Sequence, residues 1–319
     1  MSRRFVNQLS DGETVDQIFL ASEKQLRTNR NGNLYLQVRL SDKTGSVTAM
    51  LWNAHQSHFD GFDNGDYVHV QGASQLYNGN MQILAKQVKK STDPNIDEAD
   101  FLTLSNTELE TMLARIVEIL RGVSDPHLQN LVDAFLIDEA FMKQFRAAPA
   151  GIKNHHAYLG GLAEHVLSLL ELCLVVGPRY PKLNLDLLLV GAFVHDIGKI
   201  RELTYSPDLG YSTSGQLIGH LVQGVQVVDE MISKVESQTG ESFPADLADQ
   251  IRHMVVSHHG TLEFGSPKMP MTLEALALHY LDTLDAKVHH FEKLIEEDPN
   301  KESRWTVYHP NIGRKIFKG

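Results

Sequence analysis

Residues 187–202 read LLLVGAFVHDIGKIRE. The first eight, Leu187 to Val194, are apolar without interruption, and the run goes straight into His195-Asp196 and then Gly198-Lys199. The run reads as a buried helix, LDLLLVGAFVHDIG. An imidazole and a carboxylate directly behind such a run are costly to bury unless something pairs with them. Finding that partner decides how the rest of the chain is read.

The surrounding sequence is helical in pattern. Thr107-Glu-Leu-Glu leads into TMLARIVEILRGV, and NLVDAFLIDEAFMKQF and GGLAEHVLSLLELCLVV follow. After the central run come GHLVQGVQVVDEMISKV, DLADQIRHMVVSHH and TLEALALHYLDTLDAKVHHFEKLIEE. These segments carry His165, His195-Asp196, His220, His258-His259 and Asp282, each within or at the end of an apolar stretch. One histidine on an apolar face is usually a satisfied core group. Five such places, each contributing His or Asp, make that account poor for the set. Imidazole and carboxylate are the donors for Zn, Mn, Fe and similar ions, and a coordinated carboxylate is neither unpaired nor unsatisfied.

At 319 residues the chain is comfortable for two domains. Leu187–Val194 is too short to span a bilayer. MSRRFVNQLSDGE has no apolar stretch after its arginines, so no signal peptide and no membrane association are expected. The single cysteine, Cys173, excludes an intrachain disulfide and suits a cytoplasmic protein. The net charge of -11 argues against a generic nucleic-acid-coating protein. That charge is uneven: residues 1–94 hold 10 Lys+Arg and 9 Asp+Glu, and the acidity lies beyond them. Of 16 histidines, only His55, His58 and His69 precede residue 100. A near-neutral head on an acidic body suggests two units with different tasks.

The head reads as β. In GNLYLQVRLSD, Leu34, Leu36, Val38 and Leu40 alternate with polar or aromatic residues, the period of a half-buried strand. DQIFLASEKQLRT, GSVTAMLWN, DYVHVQGASQLYNGN and MQILAKQVKK supply four more strands, the last two joined by Asn78-Gly79, a strong hairpin signal. AHQSHFDGF fits a short helix after the third strand. Five strands with that insertion give the order of an OB-fold barrel. The expected organisation is a five-stranded OB-fold over 1–92, a polar, acidic linker over 93–106, an all-α domain over 107–300 and a basic, aromatic tail over 301–319. Barrels of this kind stack bases on aromatic rings and meet phosphates with cations. Tyr35, Trp52, Phe59 and Tyr77 are the available rings. Arg27, Arg30, Arg39, Lys86, Lys89 and Lys90 are the available cations. Among them Tyr35, Trp52, Arg27, Arg39 and Lys86 are the candidate nucleic-acid contacts.

The order H…HD…H…H…D, with HDIGK its specific part, resembles the HD-domain superfamily of metal-dependent phosphohydrolases. The resemblance implies a primary metal set of His165, His195, Asp196 and Asp282. It implies a second site from His220 and one or both of His258 and His259, with Asp196 bridging. Asp285 reads as a surface group or one that backs a ligand. Lys199, four residues beyond His195, can face the same cleft and stabilise charge on a phosphate, beside Asp196 as the second catalytic candidate. Its plainer alternative is a helix-end lysine on the macrodipole.

Nearly end to end, the chain resembles the YhaM-type 3′→5′ exoribonucleases of Gram-positive bacteria, which join an OB-fold to an HD domain. NHHAYLGGLAEH, HDIGK, SHHG followed by EFGSP, LDTLDAK and the tail RWTVYHPNIGRKIFKG carry the likeness. It implies metal-dependent removal of nucleotides from the 3′ end of single-stranded RNA, with single-stranded DNA a second candidate. Mn²⁺ is the implied ion; Mg²⁺, Co²⁺, Fe²⁺ and Zn²⁺ also suit the donors, and two ions are expected. In the tail, Trp305, Arg304 and Arg314, with Tyr308 and Lys315, either close over a nucleic-acid channel, pack on a second subunit of a homo-oligomer, or dock on their own domain. His155 and His156 are candidates for the terminal phosphate. Two other functions compete: a phosphohydrolase of free or cyclic nucleotides regulated by the barrel, and a non-catalytic RNA-binding module with a structural metal.

Overall fold

The computed structural model describes residues 3–77, 80–97, 100–101, 104–151, 158–205, 209–296, 298, 300 and 302–319. By internal contacts the chain forms two units, one built on residues 3–105 and 291–319, the other on 106–205 and 210–290.

The first unit is a closed five-stranded barrel. Its strands are β1 (Thr14–Thr28), β2 (Leu34–Asp42), β3 (Gly45–Trp52), β4 (Tyr67–Tyr77) and β5 (Asn80–Lys90), in the order β1-β2-β3-β5-β4. Helix α1 (Gln56–Asp60) lies between β3 and β4, at the expected insertion. The alternation read in β2 holds: Leu36, Val38 and Leu40 are buried, whereas Leu34 at the strand's start is exposed. The core adds Phe19, Val47, Ala49, Val68, Val70 and Ile83. The β4–β5 ladder pairs Tyr77 with Asn80, so the two strands form the expected hairpin; its turn, Asn78-Gly79, lies outside the described residues. A register shift between Gln71 and Gly72 bends this pair. A Cβ on Gly72 would sit 2.3 Å from the Leu84 carbonyl oxygen, so only glycine lets the two backbones approach here.

Asp100 and Phe101, in the stretch read as linker, are tied to this unit. Asp100 pairs with Arg3 and Lys43, each at 2.9 Å, and Phe101 packs on Tyr67. The tail folds on itself. The Thr306 amide donates to the Ile316 carbonyl, and the Ile316 amide donates to Thr306 Oγ1. Lys318 Nζ pairs with buried Asp298 at 2.8 Å.

The second unit is helical: α2 (Asn106–Arg121), α3 (Pro126–Leu136), α4 (Glu139–Ala147), α5 (Gly161–Val176), α6 (Leu185–Val194), α7 (Lys199–Glu202), α8 (Thr213–Ile218), α9 (His220–Thr239), α10 (Ala245–Ser257) and α11 (Leu273–Glu296), the last running on beyond the unit's final residue. Where one helix was expected over 130–145, the structure has two. Helix α3 stops at Leu136, and Asp138 caps the start of α4 by accepting from the Phe141 amide. Asn184 caps α6 in the same way, accepting from the Leu187 amide. Two features had no counterpart in the sequence reading: α8, and a two-stranded ribbon of β6 (Leu203–Tyr205) and β7 (Leu209–Tyr211).

Helix α6 is the hub. Every residue from Leu187 to Val194 is buried, because the helix packs against α5, α3 and α10. An aromatic cluster of Phe135, Phe141, Phe145 and Phe193 closes one end of this core, with centroids 4.9–6.3 Å apart. Residues 161–179 are long and apolar enough to cross a membrane by length and composition, which the shorter run at 187–194 is not. Here α5 buries Leu162, Val166, Leu169 and Leu170 within the bundle.

Candidate metal centre

Helix α6 ends at Val194, and His195 and Asp196 follow in the turn before α7. Four further helices bring the other donors to them: His165 from α5, His220 from the start of α9, His258 and His259 from the end of α10, and Asp282 from α11. Three overlapping groups result, each with ligand atoms within 4.8 Å of one another: His165, His195 and Asp282; His195, Asp196 and His258; and His220, His258 and His259. All seven expected metal residues therefore converge on one place.

The tethers of the imidazoles fix their chemistry. Nδ1 of His195 donates to the Ala192 carbonyl at 2.8 Å, Nδ1 of His258 to the Val255 carbonyl at 2.8 Å, and Nδ1 of His259 to the Phe264 carbonyl at 2.9 Å. A carbonyl only accepts, so each Nδ1 carries the proton. His165 Nδ1 donates to Asp285 Oδ2 at 2.8 Å, and His220 Nδ1 to Glu202 Oε1 at 3.1 Å. In the neutral ring, every Nε2 is then a bare lone pair directed inward.

These lone pairs crowd one another. His165 Nε2 lies 3.2 Å from His195 Nε2, and His220 Nε2 lies 3.2 Å from His259 Nε2. Asp282 Oδ1 is 3.2 Å from His165 Nε2. Asp196 Oδ1 is buried with no hydrogen-bond partner, 3.5 Å from His258 Nε2 and 3.6 Å from His220 Nε2. Inward-facing acceptors at such distances need cations among them. Nitrogen and carboxylate donors, with outer groups fixing each tautomer, are the donor set of a divalent transition-metal site.

Without metal, a proton takes the cation's place. Burial works to lower the His165 pKa, but the hydrogen-bonded Asp282 and Asp285 outweigh it and push the group up to about 9. Burial, opposed by Asp196, pulls His258 down to about 4, so its lone pair stands free at neutral pH. Burial and the neighbouring His220 also lower His259. Burial raises Asp196 and Asp282, yet Lys199 and His195 hold the first well below the usual carboxylate range, and His165 and His195 lower the second. Both carboxylates are ionised at neutral pH.

Lys199 reaches the site, but its Nζ donates to Asp196 Oδ2 in an i,i+3 pair. Asp285 is no surface group. It is buried, accepts from His165 and Ser168, and so backs a candidate ligand. Glu202 and Ser168 were missed by the sequence reading. Glu202 accepts from both the backbone amide and Nδ1 of His220, the amide at 2.9 Å. Its signal in the sequence was slight, a carboxylate one residue past KIR in an otherwise ordinary helix end. His155 and His156 lie outside the described residues.

On the barrel, register pairs Arg27 with Tyr35 and Tyr35 with Trp52 across β1, β2 and β3. The two rings are 5.0 Å apart, and Trp52 is 48% exposed. Lys86 follows Ala85, the partner of Leu51, and is exposed on the same outward face as Trp52. Arg39 shares that face, with its guanidinium bonded to Ser46 Oγ and 3.7 Å from Glu23. Phe59 instead packs on the barrel core. In the tail, the Trp305 and Phe317 rings pack together, Arg304 lies over Phe317, and Arg314 lies over Phe291. Two of the three tail candidates thus spend their charge on rings of their own unit.

Known proteins match both halves. The HD domain family matches residues 162–287, and an OB-fold nucleic acid binding domain family matches residues 22–90. The 3′-5′ exoribonuclease YhaM of Geobacillus sp. (strain WCH70) is 34% identical over 298 residues, 93% of this chain and 90% of that protein. YhaM of Bacillus subtilis (strain 168) is 33% identical, over 89% of this chain and 88% of that protein. YhaM of Listeria monocytogenes serotype 4b (strain CLIP80459) is 32% identical, over 89% of each. With identity at this level along nearly the whole length, on a chain that carries both the barrel and the assembled His/Asp centre, the protein belongs to the YhaM exoribonuclease family.

Proposed function

We propose that this protein is a metal-dependent 3′→5′ exoribonuclease that removes nucleotides from single-stranded RNA by hydrolysis at a two-ion centre. One observation carries the reading: five imidazoles, each tethered through Nδ1, bring their Nε2 atoms together around two carboxylates, half-buried Asp282 and buried Asp196, and Asp196 has an oxygen without a hydrogen-bond partner. His165, His195 and Asp282 would hold one ion, His220, His258 and His259 the other, and Asp196 would serve both. Divalent ions there supply Lewis-acid charge for a phosphate oxygen and lower the pKa of an attacking water. Lys199, held at Asp196, adds positive charge beside the phosphate. The Arg27–Tyr35–Trp52 row, with Lys86 and Arg39, would capture the strand by stacking and phosphate contact. Mn²⁺ is the proposed ion and the cytoplasm the proposed compartment.

The test is digestion of end-labelled single-stranded RNA by the full chain, after chelation and reloading with each candidate metal, alongside Asp196→Ala. Metal-dependent release of mononucleotides from the 3′ end by the wild type, lost in the variant with the fold intact, is expected. Unchanged release by Asp196→Ala would overturn the assignment of the centre. Turnover of free or cyclic nucleotides with none on RNA would replace the substrate.

A further inference from the structure

EFGSP, at 263–267, supplies no ligand atom to the metal centre. Its backbone is tied down at several points. The Phe264 and Ser266 amides donate to the Thr261 carbonyl, each at 3.2 Å, and the Gly265 amide to the Leu262 carbonyl at 3.0 Å. Buried Ser266 is 2.9 Å through Oγ from both the Val256 and the Lys268 carbonyls, which anchors the turn to the end of α10. Gly265, at φ 85°, provides the left-handed residue that closes it. This fixed turn holds the Phe264 carbonyl 2.9 Å from Nδ1 of His259, the edge of the imidazole opposite its ligand nitrogen.

The side chain of the same residue is turned to solvent. Phe264 is 72% exposed, and Leu262 in the same short turn is 70% exposed. Scattered exposed apolar residues are ordinary. This ring differs because its Cα is one bond from a carbonyl that holds a donor of the metal centre. An exposed flat apolar ring on a residue whose carbonyl contacts the centre suits the one flat apolar part of an RNA substrate, its base. Stacking a base on an aromatic ring accepts every base, which suits an enzyme that shortens strands without regard to sequence.

Resting on the exoribonuclease reading, we infer that Phe264 is a base-stacking platform for a nucleotide flanking the scissile phosphate. The turn that sets the His259 tautomer thereby also sets the position of the base. Both functions come from one residue, the first from its carbonyl and the second from its ring, so substituting the side chain separates them.

The experiment uses the metal-loaded full chain as wild type, Phe264→Ala and Phe264→Tyr. Substrates are a single-stranded RNA and the same strand with an abasic nucleotide at its 3′-terminal or penultimate position. On the intact strand, Phe264→Ala raises KM about 5- to 150-fold, the range that base–aromatic stacking gives. Phe264→Tyr keeps KM near wild type, and metal content and Tm are unchanged in both. For one abasic strand the wild type shows the same rise in KM, and Phe264→Ala adds no more to it. An unchanged KM in Phe264→Ala overturns the inference, as does an equal rise on the intact and both abasic strands. If the wild type leaves intact RNA unshortened, the parent reading falls, and this one with it.

Discussion

Each histidine of the centre is defined by what lies behind it. Asp285 and Glu202 hold His165 and His220 in the tautomer that frees Nε2. Substituting such backing groups typically weakens metal binding about 10- to 100-fold. Asp285→Ala and Glu202→Ala should fall in that range in a metal titration against a chelator, whereas Glu202→Gln, which keeps an acceptor, should lose less. Protonation makes a second prediction. A raised folded-state pKa stabilises a protein below the unfolded value, and the gain is lost as pH rises through the folded one. For His165 that window runs from 6.5 to about 9. The metal-free protein should therefore lose Tm across this range. Metal must displace the same proton, so the gap in Tm between loaded and chelated protein should widen from pH 6.5 to 9. A gap that does not change with pH would show that metal binding displaces no proton from His165. The donors themselves were legible in the sequence, because imidazole and carboxylate set repeatedly behind apolar runs call for a cation to pair them. Asp285 and Glu202 were not, because a carboxylate on a helix has the same sequence signature whether it backs a ligand or faces water.

At the level of elements, five of the seven donors lie at helix ends, and His165 and Asp282 come from within α5 and α11. Helix α6 delivers His195 and Asp196, α10 delivers His258 and His259, and α9 begins at His220. The glycine of HDIGK makes this convergence fit. A Cβ on Gly198 would lie 2.0 Å from the His220 carbonyl oxygen and 2.6 Å from the Gly224 amide nitrogen, both backbone atoms with nowhere to go. Gly198→Ala should therefore push α9 away, destabilise the fold by about 1–3 kcal/mol and lower metal content, as read by thermal unfolding and elemental analysis. Gly191 offers the contrast. A Cβ there meets the Met254 side chain, whose flexible thioether can move, so Gly191→Ala should cost less stability and keep its metal. Helix content and order were legible from apolar periodicity. The break at Asp138 and the β6–β7 ribbon were not, since a capping aspartate inside a periodic run looks like any other polar position.

For the whole molecule, the proposed function assigns chemistry and capture to different folds: His/Asp donors to the helical unit, exposed rings and cations to the barrel. The prediction at this scale is a separation of effects. Trp52→Ala and Tyr35→Ala should weaken binding of long single strands by about 1–3 kcal/mol for each base unstacked, while turnover of dinucleotides stays near wild type. Lys86→Ala should lower the salt dependence of strand binding. Asp196→Ala should do the reverse, sparing binding and removing hydrolysis. Equal losses on long and short substrates in the barrel variants would remove the capture role.

The amino-acid sequence determined the two architectures and the donors, because both are written in local pattern. Period-two alternation makes the strands, longer apolar periods make the helices, and a polar residue buried behind an apolar run needs a partner wherever the run ends up. LLLVGAFVHDIGK was enough to mark His195 and Asp196 as donors that call for a cation. Folding decided which atoms face it. The tautomer of every imidazole is set by a carbonyl or carboxylate brought up in space: Asp285 lies 120 positions from His165, and Phe264 lends His259 its carbonyl while showing its ring to solvent. A hydrogen bond depends on position and direction in three dimensions, and neither exists until the helices have packed.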